Sequence, residues 1–216
     1  MLTGFIFDLD GTLANTLPVC IKAYQETVQY FCHRLPGEQE IIAEFGPDDE
    51  GMLERLIPGQ LAQTLPYYLQ AYQKFHLELC KGLFPGIAEL LSDLKSRNLK
   101  TAIVSGKGAF SAKISLEILK LDQWIDLVET GFAYGPDKPR SLRLVLERWK
   151  IPPDQAAYIG DAPYDMQAAH MVGILPLGAA WAETSALTGS KDPYANRLFN
   201  SVGEFFDWLQ IKINVT

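Results

Sequence analysis

Cysteine pairs and helix-spaced histidine pairs are missing from this sequence. Its three cysteines, Cys20, Cys32 and Cys80, form no C-x-x-C pair. An odd, scattered set fits a reduced intracellular protein rather than a disulfide scaffold, and all three are expected to be buried apolar thiols. The histidines His33, His76 and His170 never fall at i, i+4, which argues against a zinc site. No apolar run approaches the ~20 residues needed to span a bilayer. The opening Met1-Leu2-Thr3-Gly4 has no basic stretch ahead of its apolar run, so no secretory signal is expected. Positive charge is also in deficit: 19 Lys and Arg stand against 26 Asp and Glu, a net charge of −7. A surface of that sign repels nucleic-acid phosphates, so DNA and RNA are not expected as partners. These absences describe a cytoplasmic protein that neither enters membranes nor grips nucleic acid.

What is present is a core. With 216 residues, 48% of them hydrophobic, the chain has length for one large domain or one domain carrying an insertion. Short apolar runs each end close to Gly, Asp or Ser: Leu2 to Leu9, Leu99 to Val104, Ala156 to Ile159, Val172 to Leu177 and, more weakly, Leu127 to Thr130. That is how buried parallel strands read. Helical periodicity fills the intervals at Pro85 to Ser96, Ala109 to Leu119, Leu142 to Trp149 and Pro163 to Val172, with Gly173 as a C-terminal cap. Alternation of this kind predicts an α/β fold, a doubly wound Rossmann-like parallel sheet. From about Leu17 to Leu83 only helical patterns occur (Leu17 to Phe31, Glu50 to Leu56, Gln60 to Lys81). So much chain between two strands reads as an all-helical insertion above the strand edge, with a multi-helix crossover packed on the sheet as the competing reading.

Four short stretches carry chemistry. Asp8-Leu9-Asp10-Gly11-Thr12-Leu13 follows the first strand. Two carboxylates at i, i+2 can both face the crevice once the chain turns, and Gly11 permits the turn. One can attack phosphorus while the other protonates the departing oxygen. An ordinary acidic strand-to-turn boundary would look the same. Gly160-Asp161-Ala162-Pro163-Tyr164-Asp165 offers hard oxygen ligands for Mg²⁺, although helix capping alone would also place acid there. Val104-Ser105-Gly106-Lys107-Gly108 supplies a hydroxyl and exposed N–H groups, with glycines that allow close approach of an anion. Within it Lys107 reads as a solvated surface lysine. Asp137-Lys138-Pro139 sets a lysine in a loop before a helix, where it could neutralise a nucleophile and a phosphate together. Each stretch alone has a bland explanation; their order, three of them at strand ends, does not.

In that order the four stretches resemble the motifs of the haloacid dehalogenase superfamily, and particularly its phosphoglycolate-phosphatase-like branch. Phe84-Pro85-Gly86-Ile87, Ile159-Gly160-Asp161 and Asp165-Met166-Gln167-Ala168-Ala169 are similar to that branch as well. The resemblance implies Asp8 as nucleophile and metal ligand, and Asp10 as general acid/base with its carbonyl on the metal. It implies Ser105 and Gly106 at the transferring phosphoryl oxygens, Lys138 between nucleophile and phosphate, Asp161 on the metal, and Asp165 supporting it. The implied cofactor is Mg²⁺ and the implied substrate a small phosphorylated metabolite. The implied layout is a core of residues 1–15 and 83–216 with a helical cap at 16–82, in a monomer or homodimer. Asn15 departs from the aspartate common in the branch, and Ser105 replaces the commoner threonine. Asp10 distinguishes the chain from true dehalogenases. A phosphosugar mutase or an inorganic pyrophosphatase would share this core chemistry. Within the cap, Arg55 is a candidate partner for a substrate carboxylate, against the reading of an exposed helix arginine beside Glu54. Tyr67, Tyr68, Tyr72 and Phe75 read as cap core.

Overall fold

The computed structural model describes residues 1–187 and 191–214. Its described residues form one parallel six-stranded sheet, β1 (Gly4–Phe7), β2 (Lys100–Val104), β3 (Leu127–Glu129), β4 (Ala156–Gly160), β5 (Leu175–Ala179) and β6 (Arg197–Phe199), in the order β3-β2-β1-β4-β5-β6. The first strand is therefore central: the chain winds outward to β3 on one side, then returns to β4 and winds out the other way. Ligands bind at such a reversal, beyond the C-terminal strand ends. Register is in step there, with Phe7 beside both Ile103 and Ile159.

Both sheet faces are buried, which is why the strands read as unbroken apolar runs. Phe5, Phe7, Ile103, Ile159 and Leu177 face α5 (Ile87–Ser96) and α9 (Val202–Asn214), whose Leu90, Leu94, Phe205 and Leu209 complete one core. Ile6, Ala102, Val104 and Tyr158 face α7 (Lys138–Trp149) and α8 (Pro163–Val172) through Leu142, Val145, Trp149 and Ala169. Between β2 and β3 lies α6 (Ala109–Leu119).

Between β1 and α5 run α1 (Leu17–Cys32), α2 (Glu38–Ala43), α3 (Asp49–Leu56) and α4 (Leu61–Leu79). These helices pack a separate apolar cluster that includes Val19, Tyr24, Val28, Ile41, Leu53, Tyr68 and Tyr72. No strand interrupts them, in line with the expected helical insertion. Three elements lie outside the sequence expectations: α2, β6 and α9. The run expected as a strand from Val172 instead begins at Leu175, because Val172 ends α8 and Gly173 then turns the chain at φ 80°. No helix among the described residues is long and apolar enough to cross a membrane.

Candidate active site

Asp8 is the residue immediately after β1, and 7% of it is exposed. A loop closed by Leu13 N–H and Ala14 N–H donating to Leu9 O, and by Gly11 N–H donating to Ala14 O, folds Asp10 back beside it. Gly11 is required twice over. Its φ is 76°, and a Cβ there would sit 2.2 Å from Asp161 Oδ2. Gly160 has the same function below Asp165, where a Cβ would lie 2.4 Å from Oδ2. Backbone thus approaches carboxylate on both sides of the crevice.

Three carboxylates meet here: one oxygen each from Asp8, Asp161 and Asp165 lies within 4.8 Å of the others. Lys138 ties two of them together, its Nζ 3.0 Å from Asp8 Oδ2 and 2.5 Å from Asp165 Oδ1. Asp165 is fully buried and also accepts from Tyr158 OH (3.2 Å) and Ala162 N–H (3.0 Å). It caps α8 and anchors the lysine at once. Asp161 does not cap; among the described residues its Oδ1 accepts a long bond from Thr12 Oγ1 (3.4 Å), and it otherwise faces the cluster. Burial, with the neighbouring carboxylates adding to it, pushes Asp161 up to about 8. Burial raises Asp8 to about 6, against the pull of Lys138. Burial disfavours the Lys138 ammonium, but Asp165 and Asp8 outweigh it and hold the group well above the usual lysine range. The crevice therefore carries more negative charge than Lys138 balances, and every donor is a hard oxygen. That donor set fits a divalent cation such as Mg²⁺ and offers nothing to a softer metal.

Ser105 follows β2 and is buried, its N–H donating to Glu129 O at 3.1 Å. A cavity of about 10 Å³ lies between Ser105, Gly106, Gly131 and Lys138. Asp10 lies on the other side, towards the helical insertion: Thr16 Oγ1 donates to its Oδ1, and Lys107 Nζ lies 3.2 Å from the same atom.

Over residues 5–179 the sequence matches the family of haloacid dehalogenase-like hydrolases. The chain belongs to that family. A relative named "Putative pyrophosphatase PpaX", from Caldanaerobacter subterraneus subsp. tengcongensis, is 30% identical over 184 residues, 84% of this chain and 83% of that protein. Two solved structures share the fold. CbbY from Rhodobacter sphaeroides, in complex with phosphate, has a TM-score of 0.78 at 20% identity, over 93% of this chain and 95% of its own. The "predicted phosphoglycolate phosphatase" of Haemophilus somnus has 0.76 at 20%, over 98% of both chains.

In this haloacid dehalogenase-like hydrolase several sequence expectations need correction. Lys107 is not a surface lysine: 1% of its side chain is exposed, and its Nζ lies 3.0 Å from Cys20 Sγ and 4.6 Å from the centre of the Tyr72 ring. Gly108 does not leave room for an anion, because the Asp49 carboxylate fills that space; a Cβ would meet its Oδ2 at 2.5 Å. Lys138 is the first residue of α7 rather than part of a loop, with Asp137 as the cap accepting from Arg140 N–H. Of the cysteines only Cys20 is buried; Cys32 is exposed and Cys80 half-buried. Arg55 keeps to the exposed-helix reading, half exposed on the surface, with Glu44 rather than Glu54 as its partner. Thr16 and Tyr158 were not singled out by sequence; a hydroxyl just beyond the Asp10 turn was the available signal for the first, and none existed for the second.

Proposed function

We propose that this protein is a Mg²⁺-dependent phosphatase that hydrolyses phosphate monoesters of small metabolites through an aspartyl-phosphate on Asp8. The observation that carries the reading is Lys138 bridging Asp8 and Asp165 at the centre of a cluster of three carboxylates. One oxygen of Asp8 accepts from Leu9 N–H at 2.8 Å and the other from Lys138, which fixes the carboxylate for in-line attack. Asp8, Asp161 and the Asp10 carbonyl would hold Mg²⁺, with Asp165 supporting them; bound there, the ion offsets charge on the transferring phosphoryl group.

In the first half-reaction an Asp8 oxygen bonds to phosphorus, the bond to the leaving oxygen breaks, and Asp10 gives that oxygen its proton. Ser105 Oγ, Gly106 N–H and Lys138 Nζ meet the phosphoryl oxygens. In the second half-reaction Asp10 takes a proton from water, which displaces Asp8 from phosphorus and releases phosphate. Residues 16–82 act as a cap over the core of residues 1–15 and 83–216, excluding bulk water while the acyl phosphate exists.

Purified protein with Mg²⁺ is expected to release phosphate from an aryl phosphate and to stop when EDTA is added. Asp8→Asn should lower kcat by on the order of 10⁴-fold or more. Metal-independent turnover, or an active Asn variant, overturns the mechanism. A second reading, inorganic pyrophosphatase, is favoured by the relative named for that activity; it uses the same steps with phosphate as leaving group.

A further inference from the structure

Of the three clustered carboxylates, Asp161 has the least side-chain support. Asp8 accepts from Leu9 N–H and Lys138, and Asp165 from Lys138, Tyr158 OH and Ala162 N–H. Among the described residues the Asp161 carboxylate accepts the long bond from Thr12 Oγ1. Its oxygens are thus left for a cation, but its own bonds do little to aim them. The carboxylate packs against Gly11, where a Cβ would meet it at 2.2 Å, so the placement of the Asp161 backbone decides where those oxygens lie.

That backbone is held from the loop after β5. Gly178 pairs with Gly160, so the chain leaving β5 passes beside Asp161. Ala186 N–H donates to Asp161 O at 3.1 Å, and Ser185 Oγ lies 2.9 Å from the same carbonyl. The Ser185 hydroxyl is buried and has one hydrogen, shared between Asp161 O and Ala179 O, also at 2.9 Å. Leu187 N–H in turn donates to Ser185 Oγ at 3.2 Å. One hydroxyl therefore ties together the end of β5, its loop and the residue that follows β4.

The same loop grips the opposite side of the crevice. Trp181 Nε1–H donates to Thr12 O at 3.0 Å, in the turn that carries Asp8 and Asp10. Thr12 is fully buried and is the residue whose hydroxyl reaches Asp161. The far end of the loop is anchored by Leu187, fully buried with Met166 of α8 and Ala180. Among the described residues the loop adds no acidic side chain to the cluster of Asp8, Asp161 and Asp165. It contributes bonds to the ligand-bearing backbone instead.

We infer that the loop after β5 is a clamp that sets the spacing of the Mg²⁺ ligands, with Ser185 and Trp181 as its positioning residues. Ser185 fixes Asp161, and Trp181 fixes the turn holding Asp8 and Asp10. The inference rests on the phosphatase reading above, which puts Mg²⁺ on Asp8, Asp161 and the Asp10 carbonyl. Mg²⁺ demands near-ideal octahedral geometry at short distances, whereas Ca²⁺ accepts longer and more variable ones. Loosened spacing should therefore penalise Mg²⁺ more than Ca²⁺.

Calorimetric titration of the full chain with each ion separately tests this. Ser185→Ala should weaken Mg²⁺ binding by about tenfold and Ca²⁺ binding by less, in protein that circular dichroism shows to be folded. Trp181→Phe, which keeps an aromatic ring in place but removes the N–H, should shift the two ions in the same sense. A Mg²⁺ Kd in Ser185→Ala within about twofold of wild type overturns the inference and leaves the phosphatase reading standing, even if the variant melts earlier. Equal losses for the two ions also overturn it, since the site as a whole rather than its spacing would have been damaged. If Ser185→Ala does not fold, Trp181→Phe decides by the same criteria. Wild-type protein that binds no Mg²⁺ removes both readings.

Discussion

Asp8, Asp161 and Asp165 lie too close together, in a largely buried crevice, to carry their charges without compensation. Asp8 titrates at about 6 and Asp161 at about 8 in the metal-free protein, both above the unfolded carboxyl value. A raised carboxyl pKa means that the folded state holds the proton more tightly than the unfolded one. The stability it contributes is present at acid pH and is lost as pH rises through about 6 and then about 8. The metal-free melting temperature should therefore fall from pH 5 to pH 9, and the Mg²⁺-induced rise should be larger at the alkaline end; thermal melts with and without EDTA measure both. A melting temperature that rises with pH in EDTA would contradict this assignment. Gly11→Ala puts a methyl group on Asp161 and a side chain at positive φ, so Mg²⁺ affinity should drop along with a stability loss of about 1–3 kcal/mol, readable by calorimetry and urea melts. At this scale the sequence shows which side chains can do chemistry, but not their charge environment. Lys107 and Lys138 both follow small or acidic residues at strand-to-helix junctions. Only their partners, from α1, α4, β1 and α8, separate a charge-balancing core lysine from one facing the insertion.

Among the elements, one side chain gathers several of the contacts that dock α3 and α4 on the core. Asp49, the first residue of α3, accepts Tyr24 OH and Tyr68 OH at 3.0 Å each within the insertion and the hydroxyl of Ser111 on α6 in the core. Close by, Gly51 lies so tightly on Ala133 O that a Cβ would be 2.1 Å from it. Charge-assisted bonds of this kind are each worth about 1.5–3 kcal/mol. Asp49→Ala removes the shared acceptor of three hydroxyls and should cost about 3 kcal/mol or more in urea melts. It should also speed proteolysis within α1–α4 at native conditions; unchanged cleavage would show that the clasp does not hold the insertion down. The long helices were legible because each shows an apolar face of several turns. The short α2 was not, since six residues with a single buried position, Ile41, carry too little periodicity and are held by packing. The edge strand β6 is three residues long and half exposed. Helix α9 did leave a signal: Ser201 Oγ accepts from Glu204 N–H while the Glu204 carboxylate accepts from the N–H of Asn200 just before the cap, an arrangement readable as Ser-x-x-Glu before an apolar run.

On the scale of the molecule, two apolar cores under the sheet faces support the crevice from below, and the insertion has its own. Phe205 on α9 is fully buried against Phe199 and Trp208 and touches none of the site's charged groups in any ring contact. Phe205→Ala should cost about 3–5 kcal/mol in chemical denaturation while kcat per folded molecule stays within about twofold, because it removes packing and no functional contact. The sequence by itself determined the parallel α/β core, the helical insertion after β1 and the order of the acidic and basic stretches along the chain. It could do so because strand burial, helical periodicity and turn chemistry are local, written within a few residues of where they act. Tertiary structure alone decided which charges meet. The sheet order brings β1 beside both β2 and β4, so Asp8 meets Lys138 and Asp161 from distant stretches. The docking of α1 and α4 turns Lys107 from a solvated side chain into a buried cation facing Asp10. Coulomb and desolvation energies depend on distance in space, and separation along the chain does not encode it.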